Sequence, residues 1–324
     1  MNYARAREIA ITEIPVIDVG VLYTDAQRGL PEVAAAMRDA AERAGFFYVR
    51  NHGIGRELIA RTEAIARRFF AQPLAARQSV APGTHHRGYL RIGEAKMHTK
   101  ARPDLKESFI WGLDVGPDDP DYLAGNRMIG PNNWPSFMPE MRAALNEYLD
   151  AANACAQVLL QAFATSLGVE PERFTRNFSK PVSRGALVHY PAQEPDAGEK
   201  QFGVSPHTDY GVITLLHQDD VGGLQVSNRR GEWLTAHPIE DTLVINVGDL
   251  LARWTNDRFK STPHRVVNQS GRERLSIAVF ADPDYDTPIV PVVAPGDTAR
   301  YEPTGCGEYI LGRFDASFAY RQAR

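Results

Sequence analysis

The hydrophobic periodicity of the 324-residue chain changes near residue 180, and this change limits the folds that the chain can adopt. Beyond that point come six short segments rich in β-branched and apolar residues, at 186–190, 212–216, 223–226, 243–247, 264–267 and 275–280. Turn-forming residues separate them, namely Asp219-Asp220, the stretch 228–231, Asp257 and Gly271. Many short strands at such spacing predict an antiparallel sandwich or barrel.

The first half of the chain is dominated by helical periodicity. Amphipathic patterns predict helices over 31–43, 56–71 and 138–167, and a short helix that begins at Pro171. The apolar run 46–49 predicts a buried strand between the first two helices. Because no Gly/Ser-rich or Pro-rich tract separates the halves, we expect one catalytic unit in which helices surround a β-barrel.

Composition excludes several classes of protein. The 36 basic residues do not outnumber the 40 acidic ones, and the net charge is −4. The chain therefore lacks the excess of positive charge that a nucleic-acid partner requires. Eighteen apolar residues never follow one another, so we expect no membrane span. Two cysteines without a CxxC motif and the lack of a secretory signal pattern favour the cytoplasm.

A histidine and an aspartate two residues apart, His207 and Asp209, form the strongest chemical motif. Side chains at positions i and i+2 of an extended segment point to the same face, so both could bind one metal ion. The best candidate for a third ligand is His264, which opens a later predicted strand. Two histidines and one carboxylate are the ligands of non-haem iron(II) oxygenases, although zinc also accepts this set.

A second pair at i and i+2, Arg274 and Ser276, follows ten residues after His264. An arginine facing inward from an apolar strand is costly unless it meets an anion. A guanidinium group binds a carboxylate through two parallel hydrogen bonds, and Ser276 could add another. The alternative is an internal salt bridge of Arg274.

With these motifs the sequence resembles the 2-oxoglutarate- and iron(II)-dependent oxygenases, specifically the isopenicillin-N-synthase-like family. The likeness extends over nearly the whole chain and is carried by segments 14–18, 45–54, 87–89, 104–109, 133–135, 207–209, 222–226, 246–249, 264–266 and 274–276. It implies a mixed α/β fold with a double-stranded β-helix (jelly-roll) core flanked by helices. A helix-rich N-terminal region over 1–180, a catalytic jelly-roll region over 181–290 and a C-terminal extension over 291–324 are the expected parts.

The resemblance also implies a site. Iron(II) is expected on His207, Asp209 and His264, and the far carboxylate of the cosubstrate 2-oxoglutarate on Arg274 and Ser276. Tyr190 falls where many members place a tyrosine near the cosubstrate. Substrate contacts are expected from four further residues, Arg87, Tyr89, Phe109 and Phe280.

The activity implied is an O2-consuming dioxygenase that hydroxylates, desaturates or cyclises a small-molecule metabolite and releases succinate and CO2. A carboxylated or amino-acid-derived substrate is favoured, because Arg87 could meet a carboxylate. Three alternatives stay open at this point. They are an oxidase that needs no 2-oxoglutarate, an ethylene-forming activity, and a non-catalytic metal-binding regulator on the same scaffold.

Overall fold

The computed structural model of the chain describes residues 14–94, 102–193 and 201–317. Fourteen strands lie in these ranges: β1 Val16–Asp18, β2 Phe46–Arg50, β3 Gly88–Leu90, β4 Glu107–Gly112, β5 Arg184–Tyr190, β6 Val204–His207, β7 Ile213–Gln218, β8 Leu224–Ser227, β9 Trp233–Thr235, β10 Thr242–Val247, β11 His264–Val266, β12 Arg274–Ala281, β13 Pro288–Ile289 and β14 Thr304–Gly305. Each of the six segments predicted after residue 180 overlaps one of them, and 46–49 lies within β2.

Two sheets form the core. The large sheet has the order β1-β2-β10-β7-β12-β5-β4-β3, and the smaller one has the order β6-β11-β8-β9. All pairings in both are antiparallel except that of β1 with β2. A third, two-stranded sheet joins β13 to β14. The predicted mixed α/β class with a jelly-roll core is thereby confirmed.

Helices pack against the large sheet and alternate with its strands along the chain. They are α1 Val21–Thr24, α2 Ala26–Arg43, α3 Arg56–Phe70, α4 Leu74–Gln78, α5 Pro120–Leu123, α6 Glu140–Ser166, α7 Asp249–Trp254 and α8 Cys306–Ser317, with a 3-10 helix at Pro171–Phe174. The long helix α6 packs against α2 and α3 and touches the sheet at β12, β5 and β7. No helix among the described residues combines the length and apolarity needed to cross a membrane.

Two helix boundaries differ from the prediction. Helix α2 begins at Ala26 rather than at Pro31, because the carboxylate of Asp25 accepts a hydrogen bond from Arg28 N and caps it there. The proline lies inside the helix, so it does not mark the first turn. After Phe174 the segment predicted to be helical does not continue as a helix.

The N-terminal part of the chain is less purely helical than its periodicity predicts. It contributes β1, β2, β3 and β4 to the large sheet, at both of its edges. Both faces of β4 are buried. Its sequence, ESFIWG, therefore does not alternate between apolar and polar residues, which is the pattern that predicts a half-exposed strand. The boundaries at residues 180 and 290 stay predictions.

Candidate active site

His207, Asp209 and His264 come together at one end of the jelly roll. His207 ends β6 and lies directly opposite His264, which begins the neighbouring strand β11. Oδ1 of Asp209 is 3.7 Å from Nε2 of both histidines. One ligand atom from each residue lies within 4.8 Å of the other two, and the described residues contain no other such group of three.

Both histidines present the same nitrogen to this centre. Nδ1 of His207 is 2.8 Å from the carbonyl oxygen of Ser205, and Nδ1 of His264 is 3.3 Å from that of Thr262. Because a carbonyl oxygen only accepts hydrogen bonds, Nδ1 is the protonated nitrogen in each ring. Each Nε2 is therefore left with a lone pair for a metal ion.

The spacing from His207 predicts that Asp209 lies on the same strand. In the structure Asp209 lies in the loop after β6 instead. Hydrogen bonds turn its carboxylate toward the histidines. Oδ2 accepts from Thr214 Oγ1 at 2.6 Å and from Asn246 Nδ2 at 2.8 Å, which leaves Oδ1 for the metal. The functional role of Thr214 and Asn246 was not predicted, although Asn246 lies within the segment 246–249 that carries the resemblance.

The electrostatics of the three groups suit metal binding. Burial, reinforced by the neighbouring His264, lowers the pKa of His207 to about 3, so this imidazole is neutral at neutral pH. Burial opposes the ionisation of Asp209, but the two histidines and the hydrogen bonds from Thr214 and Asn246 outweigh it. The pKa of Asp209 lies below its ordinary value. A neutral imidazole and an ionised carboxylate are the forms that coordinate metal ions.

Two carboxylates, the buried Asp104 and the half-buried Asp249, anchor the loops that carry the ligands. Asp104 accepts hydrogen bonds from the backbone N and the Oγ of Ser205, the residue whose carbonyl orients His207. Asp249 accepts from Thr208 and from Ser261, and so ties the loop of Asp209 to the segment that leads to His264. Sequence reasoning missed both roles, because contacts between residues far apart in the chain leave no local pattern.

Arg274 is completely buried and meets only neutral hydrogen-bond partners. Its Nη1 donates to Ser276 Oγ at 3.2 Å and its Nη2 to Gln218 Oε1 at 3.1 Å, while its Nε has no partner among the described residues. The ring of Tyr190 lies 4.7 Å from the guanidinium carbon. Since no carboxylate of the described residues forms an ion pair with Arg274, the internal salt bridge weighed from the sequence is not present in that part of the chain.

The strand register places a second group of residues on the same face as Arg274 and Ser276. Phe280 lies opposite Thr214 on β7 and opposite Arg184 on β5, so Thr214, Phe280 and Arg184 form a row across three strands. The row begins beside the carboxylate of Asp209, because Thr214 is hydrogen-bonded to it. The guanidinium of Arg184 is 5.2 Å from the ring centre of Phe280 and 4.2 Å from that of Phe314 on α8. Arg184 was not predicted, but counting in steps of two from Tyr190 along β5 would have found it.

Arg87, the residue before β3, continues this row beside Gly112 of β4. A Cβ at Gly112, which lies opposite Arg184, would approach the Arg87 guanidinium to 2.2 Å, so the glycine leaves the space that the arginine fills. Arg87 is 3% exposed, and its Nη2 donates to Met128 O at 3.0 Å. Nε and Nη1 have no hydrogen-bond partner in the described parts of the chain. Burial and the Arg184 cation lower the pKa of Arg87 to about 9, so it stays charged at neutral pH.

The structure does not bring Tyr89 and Phe109 to the site. They face each other across β3 and β4, on the face of the sheet opposite to that of Gly112. Phe69 of α3 packs edge-on against both rings, at 6.0 and 5.1 Å, and the Tyr89 hydroxyl donates to Glu107. Both side chains belong to the core between the sheet and the helices.

Iron(II) and 2-oxoglutarate fit the residues present. The centre offers two imidazole nitrogens and one carboxylate oxygen, each with its other polar atom already hydrogen-bonded. That set leaves coordination positions for a chelating cosubstrate. Arg274 supplies a buried cation with an unpartnered Nε and no ion-pair partner in the described residues, as the far carboxylate of 2-oxoglutarate requires.

Comparison with protein families supports this fit. Residues 183–283 match the family model of the 2OG-Fe(II) oxygenase superfamily, and residues 14–137 match that of the non-haem dioxygenase in morphine synthesis N-terminal family. A 2-oxoglutarate-Fe(II) type oxidoreductase of Emericella nidulans is 35% identical over 97% of this chain and 93% of that protein. A homoarginine-6-hydroxylase of Glycine max is 34% identical over 95% of this chain and 98% of its own length.

Solved structures give the same result. A full-length Neurospora crassa protein, crystallised in complex with alpha-KG, is similar with a TM-score of 0.81 and 32% identity, over 93% of this chain and 95% of that one. The same protein in complex with alpha-KG and thymine has a TM-score of 0.83 and 30% identity, over 98% and 99%. The comparisons support a 2-oxoglutarate-dependent oxygenase over an oxidase without 2-oxoglutarate, an ethylene-forming activity or a non-catalytic regulator.

Proposed function

We propose that this chain, which belongs to the 2OG-Fe(II) oxygenase superfamily, holds its iron through His207, Asp209 and His264 and acts on a small molecule that carries a carboxylate. The observation that carries the proposal is the convergence of two unprotonated Nε2 atoms on one carboxylate oxygen, at 3.7 Å each. When bound, iron(II) and 2-oxoglutarate supply the oxygen activation that oxidises a substrate C–H bond and releases succinate and CO2.

The residues around the metal perform separate tasks. Thr214 and Asn246 keep one oxygen of Asp209 occupied, so that the other stays aimed at the metal. We assign Arg274 and Ser276 to the far carboxylate of 2-oxoglutarate, with the ring of Tyr190 against the guanidinium. Because Arg274 is buried, its charge acts in a medium of low dielectric constant and favours an anion strongly.

We assign the substrate to the row of side chains that runs from Thr214 through Phe280 and Arg184 to Arg87. The carboxylate of Asp282 lies 3.7 Å from Arg184 and offsets its charge. Arg87 has no such partner among the described residues, and its two unpartnered nitrogens suit a substrate carboxylate. The aromatic ring of Phe280 beside this row excludes water from the target carbon.

A relative also supports a carboxylated, amino-acid-derived substrate. The name of the Glycine max relative gives homoarginine, an amino acid, as what it hydroxylates.

We further assign the protein to the cytoplasm, because its two cysteines, Cys155 and Cys306, are buried and unpaired.

The experiment that tests this function measures succinate release. Iron-loaded enzyme with 2-oxoglutarate and O2 is offered small carboxylates and amino acids together with the matching amides. We expect succinate release that depends on the carboxylate form. In Arg87→Gln, the substrate KM should rise by about 30-fold or more, because a buried charge pair is lost, whereas the Kd of 2-oxoglutarate should stay unchanged.

Two results would contradict the substrate assignment. One is equal turnover of acids and amides. The other is an Arg87→Gln enzyme with the KM of the wild type. As a control for the loss of an arginine elsewhere, Arg142→Gln removes an exposed arginine that pairs with the half-buried Asp114, and it should leave the substrate KM unchanged.

A further inference from the structure

A chain of polar side chains crosses the large sheet on the face opposite to the proposed cosubstrate site. At its centre is His189 of β5, whose Nδ1 is 2.8 Å from Oε1 of Glu107 on β4. Its Nε2 is 3.6 Å from Oε2 of Glu273, the residue that directly precedes β12. The imidazole is therefore hydrogen-bonded to β4 and lies within ion-pair distance of the residue before β12. We call Glu107, His189 and Glu273 the strap.

The strap lies directly behind the groups assigned to 2-oxoglutarate. His189 pairs with Glu107 in one register and with Leu275 in the other, and the next pair along is Tyr190 with Arg274. Adjacent residues of a strand point to opposite faces, so His189 and Glu273 lie behind while Tyr190 and Arg274 lie in front. His189 and Glu273 are thus each covalently bonded to a residue that we assign to the cosubstrate, Tyr190 and Arg274 respectively.

The strap lies at the end of the pairing between β5 and β12, where a further contact between the two strands has the largest effect. The pair of Tyr190 with Arg274 is the last of the ladder between β5 and β12, since β5 ends at Tyr190 and β12 begins at Arg274. Residues at the end of a ladder open more readily than those in its middle. A cross-strand contact there contributes directly to the geometry of the final pair.

Two of the three strap residues, His189 and Glu107, are held in place by further contacts. The ring of Phe70 stacks on His189 with centres 5.1 Å apart and an angle of 20°. The second oxygen of Glu107 accepts from Arg77 and from the Tyr89 hydroxyl. Burial raises the pKa of Glu107, but hydrogen bonds from His189 and Tyr89 and the charge of Arg77 outweigh it, and the net pKa is lowered. Glu107 is therefore an ionised and fixed acceptor.

We propose that His189 is a positioning residue for the cosubstrate: the strap fixes the end of β5 against β12 and so keeps the Tyr190 ring on the Arg274 guanidinium. The inference rests on the proposed role of Arg274. It adds a group that does not touch 2-oxoglutarate and acts through the two residues that do. Its signature is a change in the affinity for 2-oxoglutarate with little change in iron affinity or in kcat at saturating cosubstrate.

The test uses the full chain, loaded with iron(II) under anaerobic conditions and titrated with 2-oxoglutarate by visible absorption. The variant is His189→Phe, which keeps the stacked ring and removes both nitrogens. We expect its Kd for 2-oxoglutarate to rise by about tenfold, with iron affinity and saturating kcat within about twofold of the wild type. Glu273→Ala should raise the Kd by about threefold, and Glu273→Gln, whose amide can donate to Nε2 or accept from it, should restore it.

Thr62→Ala is the control for core stability. Thr62 is buried in α3 and its hydroxyl donates to Leu58 O, not to a strap residue, so the variant should lower the melting temperature and leave the Kd of 2-oxoglutarate unchanged. Equal rises in His189→Phe and Thr62→Ala would overturn the proposal, because the effect would then be a general loss of core stability. If His189→Phe does not fold, the exposed position Glu273 carries the test with its Ala and Gln variants.

Comparison with Arg274→Ala separates the two proposals. An unchanged Kd in His189→Phe together with a large rise in Arg274→Ala would overturn the strap and leave the cosubstrate site standing. An unchanged Kd in Arg274→Ala would overturn the cosubstrate site itself, and the strap with it.

Discussion

The candidate site differs between its metal end, around His207, Asp209 and His264, and its arginine-rich end, around Arg184 and Arg87, in how polar side chains are hydrogen-bonded. At the metal end, both histidines donate through Nδ1 to backbone carbonyls, and Asp209 accepts two hydrogen bonds on one oxygen. At the other end, Arg87 is as deeply buried, but two of its nitrogens have no partner among the described residues. At the metal end each ligand residue has its second polar atom hydrogen-bonded within the protein, whereas Arg87 keeps two nitrogens without a partner in the described residues, which we propose bind the substrate.

This difference shows how the chain divides binding between its own atoms and its ligands. A metal site gains affinity when its ligands are oriented before the metal arrives, so its second partners come from the protein. A substrate site gains specificity when a buried polar group is satisfied only by the correct ligand. The predictions below test the metal end and the cosubstrate site beside it, from the largest expected effect to the smallest.

The largest effect is expected at Asp209. In Asp209→Ala, two neutral imidazoles remain and the charge of the metal is no longer compensated, so iron binding and turnover should both be lost. Iron content after loading and succinate release measure this. Asp220→Ala, which removes an exposed carboxylate paired with Arg272, is the matched control and should keep both. Normal iron content in Asp209→Ala would refute the ligand assignment.

A smaller effect, confined to one ligand, is expected at Arg274. Arg274→Ala removes the buried cation that we assign to 2-oxoglutarate, and its Kd should rise by about 100-fold, within the range for a lost buried charge partner. Iron affinity should stay within about twofold. Arg272→Ala, two residues earlier and exposed, should behave as the wild type. The cosubstrate assignment fails if both variants bind 2-oxoglutarate equally well.

The smallest of the three effects is expected at Asn246. Asn246→Ala removes one of the two hydrogen bonds that orient the Asp209 carboxylate, while Thr214 keeps the other. Partners of this kind affect metal affinity by roughly 10- to 100-fold, and we expect the Kd of iron(II) to rise by about tenfold. Asn228→Ala, in the turn between β8 and β9, is the control. An unchanged Kd would mean that Thr214 alone orients Asp209.

Two local pairs carry the site prediction, His207 with Asp209 and Arg274 with Ser276. Each pair is two residues apart, which on a strand places both side chains on one face. Arg274 and Ser276 lie on β12 in this way, whereas Asp209 lies in the loop after β6 and is oriented by Thr214 and Asn246 instead. The binding roles of these residues stay predictions. The long amphipathic helices α3 and α6 are predicted to within about two residues, because their periodicity is also a local pattern.

The substrate end could not be predicted as well, because the face on which a side chain lies depends on strand pairing. Every residue of β4 is buried, so its sequence does not show that Phe109 faces the helices while Gly112 faces the site. Tyr89 follows the same register and lies with Phe109. Arg184 and Gln218 reach the site only through pairing with β12, which a single sequence does not reveal.

The measurement that tests the central claim most directly is an anaerobic absorption titration of metal-free protein, first with iron(II) and then with 2-oxoglutarate. A metal-to-ligand charge-transfer band should appear in the wild type only when both are present, because 2-oxoglutarate would bind the iron that we assign to His207, Asp209 and His264. The band should be absent from Asp209→Ala and should require far more 2-oxoglutarate in Arg274→Ala. A wild type without the band, or a band of full intensity in Asp209→Ala, would contradict the account.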